Sequence, residues 1–100
     1  MARTPTPPTP TRMFLVERYR PGLDESSART AVTRLERAAQ AMTEQGDPVV
    51  HVGSVLMPVD QVVFTVIEAI DEAAARRVHE RAGLSLDRIA EAISICSRRP

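Results

Sequence analysis

The chain has 100 residues, with 13 basic and 13 acidic side chains, two histidines and one cysteine. That length favours a single domain, and the balanced charge gives no general attraction to nucleic acid or to a membrane surface. Every basic residue is an arginine, which excludes lysine Schiff-base and P-loop chemistry, and a lone Cys96 excludes an intramolecular disulfide or a thiolate zinc cage within one chain.

Residues 1–12 alternate Thr and Pro and lack the apolar side chains that would offset their ordering entropy, so an extended, mobile tail is expected. The tail has no hydrophobic segment of a secretory signal, and no apolar run approaches the length of a membrane span. A cytoplasmic location is the resulting expectation. The folded domain is expected over residues 13–96, with residues 97–100 fraying.

Met13 to Tyr19 alternates with period two and predicts a first strand, closed by Pro21-Gly22. Asp24 or Ser26 can cap the following helix. Ala31, Val32, Leu35, Ala38, Ala39 and Met42 then recur at helical spacing, giving an amphipathic helix of about five turns. Gly46 and Asp47-Pro48 end it. Val49 to Met57 reads as a second strand, with Val49, His51, Gly53, Val55 and Met57 in one phase. Gly53 is a place for a bulge or bend. Pro58 to Gln61 is too short for a parallel crossover, so strands two and three form an antiparallel hairpin.

The third strand, Val62-Val63-Phe64-Thr65-Val66-Ile67-Glu68-Ala69, runs into a helix capped by Asp71. Ala74, Ala75, Val78 and Ala82 form the buried stripe of that helix, with His79 off the stripe, and Gly83 closes it. A last strand is expected over Ile89 to Ile95, with Ile89, Glu91, Ile93 and Ile95 sharing a face. The order β-α-β-β-α-β predicts an α+β, ferredoxin-like domain: a four-stranded antiparallel sheet with both helices on one face. Both phases of the strands are apolar. The open face, expected to carry Leu15, Val66, Ile89 and Ile93, therefore predicts a homodimer packed through that face.

Glu17, Glu68 and Glu91 are each in phase with residues assigned to the open face. On three adjacent strands they could approach one another, and such a group needs a divalent cation, a shared proton or arginine partners such as Arg18, Arg20 or Arg88. The alternative is that each carboxylate reaches solvent or pairs with an arginine. His51 and His79, placed near those carboxylates, would complete a nitrogen/oxygen set suited to nickel, zinc or a similar divalent transition metal. No HxxxH spacing, nucleophile elbow, phosphate loop or dinucleotide fingerprint is present, and Ser54, Ser85 and Ser94 lack a motif of their own. With only three aromatic residues, an RNA-binding sheet is poorly supported.

Four segments, Phe14-Leu15-Val16-Glu17-Arg18-Tyr19, Phe64-Thr65-Val66-Ile67-Glu68-Ala69, His79-Glu80-Arg81-Ala82-Gly83-Leu84 and Asp87-Arg88-Ile89-Ala90-Glu91, together resemble a family of small bacterial ferredoxin-like proteins, long of unknown function, that includes a nickel-binding member. The resemblance spans about residues 13–95. It implies a homodimer packed through sheet faces and nickel binding without established catalysis, and the family pattern matches at Glu17, Glu68, His79 and Glu91. The expected function is a small dimeric metal-binding protein with a sequestration or stress role. The alternatives are a cofactor-independent monooxygenase or isomerase of the dimeric α/β-barrel type, with a cavity between sheet and helices, and a ligand-sensing or interaction module. A His–Glu pair beside a cavity favours the enzyme, whereas histidine and carboxylates converging on one point favour the metal.

Overall fold

The computed structural model describes residues 12–95. The expected mobile tail up to residue 11, Cys96 and the expected frayed end at 97–100 lie outside the described residues. The elements are β1 (Arg12–Tyr19), α1 (Glu25–Glu44), β2 (Val49–Met57), β3 (Val62–Ala69), α2 (Glu72–Arg81) and β4 (Arg88–Ala92). The sheet order is β2-β3-β1-β4, with every neighbouring pair antiparallel. This is the ferredoxin-like arrangement expected from the order of elements.

Local chemistry sets the helix ends. Asp24, not Ser26, caps α1: its carboxylate accepts from the Ser27 amide at 2.9 Å while the Ser27 hydroxyl accepts from the Asp24 amide at 3.2 Å, a reciprocal capping box. Asp71 caps α2 by accepting from the Ala74 amide at 2.8 Å. Each helix ends on a glycine in the left-handed region, Gly46 (φ 90°) and Gly83 (φ 73°). The next amide reaches back to the last turn: Asp47 to the Met42 carbonyl at 2.9 Å and Leu84 to the His79 carbonyl at 2.8 Å.

The core lies between the helices and one face of the sheet. Phe14 and Val16 of β1 and Ile67 and Ala69 of β3 meet Leu35, Ala38, Ala39 and Met42 of α1 and Ala74, Ala75 and Val78 of α2, with Leu84 closing one end. Alanines on both helices let them sit close to the sheet, and each larger apolar side chain buried there contributes about 1.5–3 kcal/mol.

Four details differ from the expectation. Arg12, expected in the tail, opens β1 opposite Ala69. β4 ends at Ala92, so Ile93 and Ile95 lie beyond it and are 84% and 93% exposed. The phase of β4 is the reverse of that expected. Glu91 stands opposite Phe14 and Ile89 opposite Val16, which places both on the helix side, while Ala90 and Ala92 face the open side. Ile89 packs against the core. Finally, His79 is fully buried and belongs to the inner stripe of α2.

A bulge at His51/Gly53 divides β2. Val49 and His51 pair with Ala69 and Ile67, while Ser54 and Leu56 pair with Thr65 and Val63; all face the helices. Val55 and Met57 turn to the open face with Val50. Among the described residues no helix is long and apolar enough to cross a membrane.

Candidate functional site

The fold separates the five residues expected to ligate a metal. Glu17 and Glu68 do share the open face, but Glu17 pairs with Phe64, four residues before Glu68 on β3. That offset is about 13 Å at 3.3 Å per residue, too far for a shared proton or ion. Glu17 is already engaged. It accepts from the Tyr19 hydroxyl at 2.7 Å and from Arg88 Nη1 at 2.6 Å. Both bonds hold its carboxyl below the ordinary carboxylate range, and the bond to Glu17 pushes the Tyr19 phenol up against the opposing charge of Arg88. Glu68, half-buried and opposite Met13 and Val50, has no hydrogen-bond or ion-pair partner among the described residues.

Glu91 lies on the other face. Arg12 grips it from two nitrogens, at 3.0 and 2.8 Å, which lowers its pKa. His79 sits inside the core, where Nδ1 donates to the Ala75 carbonyl at 2.9 Å and Nε2 has no partner among the described residues. Burial, more than the nearby Arg18 and His51, pushes its pKa down. No three His, Cys, Asp or Glu side chains converge among the described residues. Among the described residues, one chain by itself does not assemble a ligand set for nickel.

His51 has different company. Its Nε2 lies 2.9 Å from Ser54 Oγ, and Ser54 Oγ lies 2.8 Å from Thr65 Oγ1. On the other side of the ring, Nδ1 is 3.4 Å from Glu36 Oε2 on α1. A carboxylate only accepts hydrogen bonds, so Glu36 favours the proton on Nδ1 and leaves Nε2 as the acceptor. Ser54 then donates to His51, and Thr65 donates to Ser54. The imidazole is almost wholly enclosed (6% exposed), whereas Glu36 is open to water (60%). The result is a polarised chain, Thr65–Ser54–His51–Glu36, running from the core to the surface.

This chain forms part of the wall of a cleft of about 690 Å³ between α1 and the β2–β3 hairpin. Ala28, Val32, Leu56 and Val63 supply apolar wall, and His51 and Ser54 the polar part. Glu25 and Arg29 also line the cleft, and the exposed pair they form at 2.7 Å largely cancels their charges. A hydroxyl bonded to an imidazole, itself backed by a carboxylate, is the arrangement that activates a nucleophile, and a base facing a cleft is equally suited to proton transfer.

Sequence reasoning named His51 but missed Ser54, Thr65 and Glu36 as its companions. In a regular strand, residues three apart point to opposite faces, so His51 and Ser54 fell in opposite phases. Gly53 was the signal that the phase breaks.

The chain is thus an α+β protein of the ferredoxin-like class. Comparison with known protein families and with curated proteins finds no match. Among solved structures it is similar to the SCO4226 protein of Streptomyces coelicolor A3(2), known from a crystal structure, with a TM-score of 0.65 and 22% identity over 84% of this chain and 99% of that one. The likeness establishes the fold.

Proposed function

We propose that this protein is a cofactor-independent enzyme of the dimeric α/β-barrel type that cleaves a small, apolar ester in the cleft between α1 and β2. The observation that carries this reading is the 2.9 Å contact between Ser54 Oγ and His51 Nε2, backed by Glu36 on the far side of the ring. Ser54 Oγ attacks the ester carbonyl carbon and its proton passes to His51 Nε2, while Glu36 stabilises the imidazolium. The tetrahedral adduct collapses, the bond to the alcohol oxygen breaks, and the alcohol leaves with the proton from His51. Water then attacks acyl-Ser54 and gives a proton to His51. The acid departs as Ser54 Oγ recovers that proton. The apolar wall formed by Ala28, Val32, Leu56 and Val63 favours an uncharged acyl or alcohol group.

The test uses an activated aryl ester and a fluorophosphonate label. Ser54→Ala and His51→Ala each lower turnover by about 10²–10⁴-fold, and the label adds to Ser54. A wild-type protein that neither turns over the ester nor takes the label at Ser54 overturns the reading.

The same proposal includes a second copy. Val52 and Val55 are 52% and 62% exposed, and Tyr19, Val50 and Met57 are also exposed on the open face. Packing this face against its twin removes a large apolar surface from water. A monomeric mass in solution at micromolar concentration refutes it.

A second reading, metal binding, is favoured by one observation: Glu68 stands half-buried on that apolar face with no partner among the described residues. A nickel or other divalent ion would need further ligands from the second copy. Calorimetric titration of wild type and Glu68→Ala with nickel, zinc, cobalt and copper tests it, and absence of heat with all four removes it.

A further inference from the structure

A second cleft, of about 450 Å³, opens where the end of β1, the turn before α1 and the loop after α2 meet. Three arginines line it: Arg18, Arg20 and Arg34. Of the seven other arginines among the described residues, Arg37 and Arg81 have no carboxylate partner, Arg81 donating instead to Gln45, and the remaining five do. Arg12, Arg29, Arg76, Arg77 and Arg88 each face a carboxylate within 3 Å. Of the three in this cleft, Arg20 alone does, bonding to Asp87 at 2.9 Å while also donating to the Ser85 carbonyl at 2.7 Å.

Arg18 is only 7% exposed, yet its one hydrogen bond among the described residues is from Nε to the Ser85 carbonyl at 3.0 Å. Arg34 has no ion pair or side-chain hydrogen bond among the described residues. Its guanidinium lies against Gly83, just past the C-terminus of α2, where the helix dipole holds a cation without neutralising it. Burial chiefly, and then the charges of Arg20 and Arg34 against the opposing Asp87, push the Arg18 pKa down.

A buried guanidinium beside two others, with one carboxylate among them, is costly unless an anion completes the group. Terminal nitrogens of Arg18 and Arg34 remain uncommitted, and a planar fork suits a tetrahedral oxyanion better than it suits a point charge. The cleft is larger than one phosphate needs, which leaves room for the group that the phosphate esterifies.

We propose that this cleft binds a phosphate monoester, with Arg18 and Arg34 supplying the free donors and Arg20, held by Asp87, adding positive charge. The site is separate from the His51–Ser54 cleft and stands whether or not that cleft is catalytic.

The experiment is calorimetric and thermal titration of the full chain with phenyl phosphate, inorganic phosphate and, as a control, chloride, at low ionic strength. Wild type is expected to bind phenyl phosphate saturably, and inorganic phosphate more weakly, with a rise in unfolding temperature that chloride does not give. Arg34→Gln weakens binding by about tenfold or more, whereas Arg76→Gln, remote from the cleft and paired to Glu72 at 2.9 Å, leaves it unchanged. Arg18→Met abolishes the phosphate-dependent rise and, freed of a crowded charge, unfolds at no lower temperature than wild type without ligand. If Arg18→Met fails to fold, Arg34→Gln decides the matter. Absence of saturable binding to wild type overturns the proposal, as does equal weakening by Arg34→Gln and Arg76→Gln. Binding of inorganic phosphate as tightly as phenyl phosphate overturns the monoester assignment.

Discussion

Replacing His79 with Leu is expected to stabilise this protein. The imidazole is completely buried; Nδ1 donates to the Ala75 carbonyl, and Nε2 is left as an acceptor without a partner among the described residues. Such an unmet buried group costs about 1–3 kcal/mol, while the single bond lost with the ring is worth about 0.5–1.5 kcal/mol. Leucine has a similar volume, so it fills the space without a large cavity. The balance is a gain of about 1 kcal/mol at pH 8, or about 4–8 °C in Tm for a domain of this size. The gain grows on acidification. Burial holds the folded pKa of His79 below its ordinary 6.5, so below that pH the unfolded chain takes up the proton first. Wild type therefore keeps its full stability above about pH 6.5 and loses it as pH falls toward the folded value, at no more than about 1.4 kcal/mol per pH unit. Leucine at this position does not titrate. Urea unfolding of both proteins at pH 8, 6.5 and 5 measures the difference, in which titration of all other groups cancels. A variant less stable than wild type at pH 8, with the same loss at pH 5, would show that Nε2 is satisfied and refute the reasoning.

Glu17→Gln removes the charge that Tyr19 and Arg88 share, so the Tyr19 phenol falls back toward its ordinary value of 10.0; because the chain has one tyrosine, phenolate absorbance reports it directly. Leu35→Ala, at a side chain 2% exposed in the middle of the core, costs about 2–5 kcal/mol in urea unfolding. Gly83→Ala places a β-carbon at φ 73° and against the Arg34 guanidinium, so it costs about 1–2 kcal/mol for the backbone alone, and thermal unfolding should show it more destabilising than Gly22→Ala, where φ is 75° but the space is open.

The order of elements and the Asp71 N-cap were legible because they rest on local chemistry, while the first cap was narrowed only to Asp24 or Ser26. Asp24 and Asp71 precede apolar stripes at helical spacing, and Gly46 and Gly83 follow them. Alternation marked β1 and β4, and a near-continuous apolar run marked β3. What alternation does not tell is which phase meets the helices, and β4 shows why. Its isoleucines suggested the outer, dimer-facing side, but Ile89 packs against the core and the open side of β4 carries Arg88, Ala90 and Ala92. Ile93 and Ile95, which made the strand look longer, extend past its end. His79 was placed off the stripe, beside Arg76, Arg77 and Glu80, although its i+4 spacing from Ala75 and its place beside Val78 put it on the buried stripe of α2. The arginine cleft was not legible at all: Arg18 lies in the core-facing phase of β1, and Arg34 meets it only through tertiary packing.

The bulge in β2 links the part of the site that was read to the part that was missed. Without it, His51 and Ser54, three residues apart, would point to opposite sides of the sheet, and no hydroxyl would reach Nε2. With the extra residue, Val52 and Gly53 together occupy the space opposite Val66, and every residue from Ser54 onward changes side. That single slip does two things at once. It brings Ser54, on the wall of the cleft, beside both His51 and Thr65, and it turns Val55 and Met57 outward to enlarge the exposed apolar face. The polar wall of the cleft and the exposed apolar face of β2 thus depend on the same local irregularity, and a sequence reading that runs one phase through the whole strand loses both.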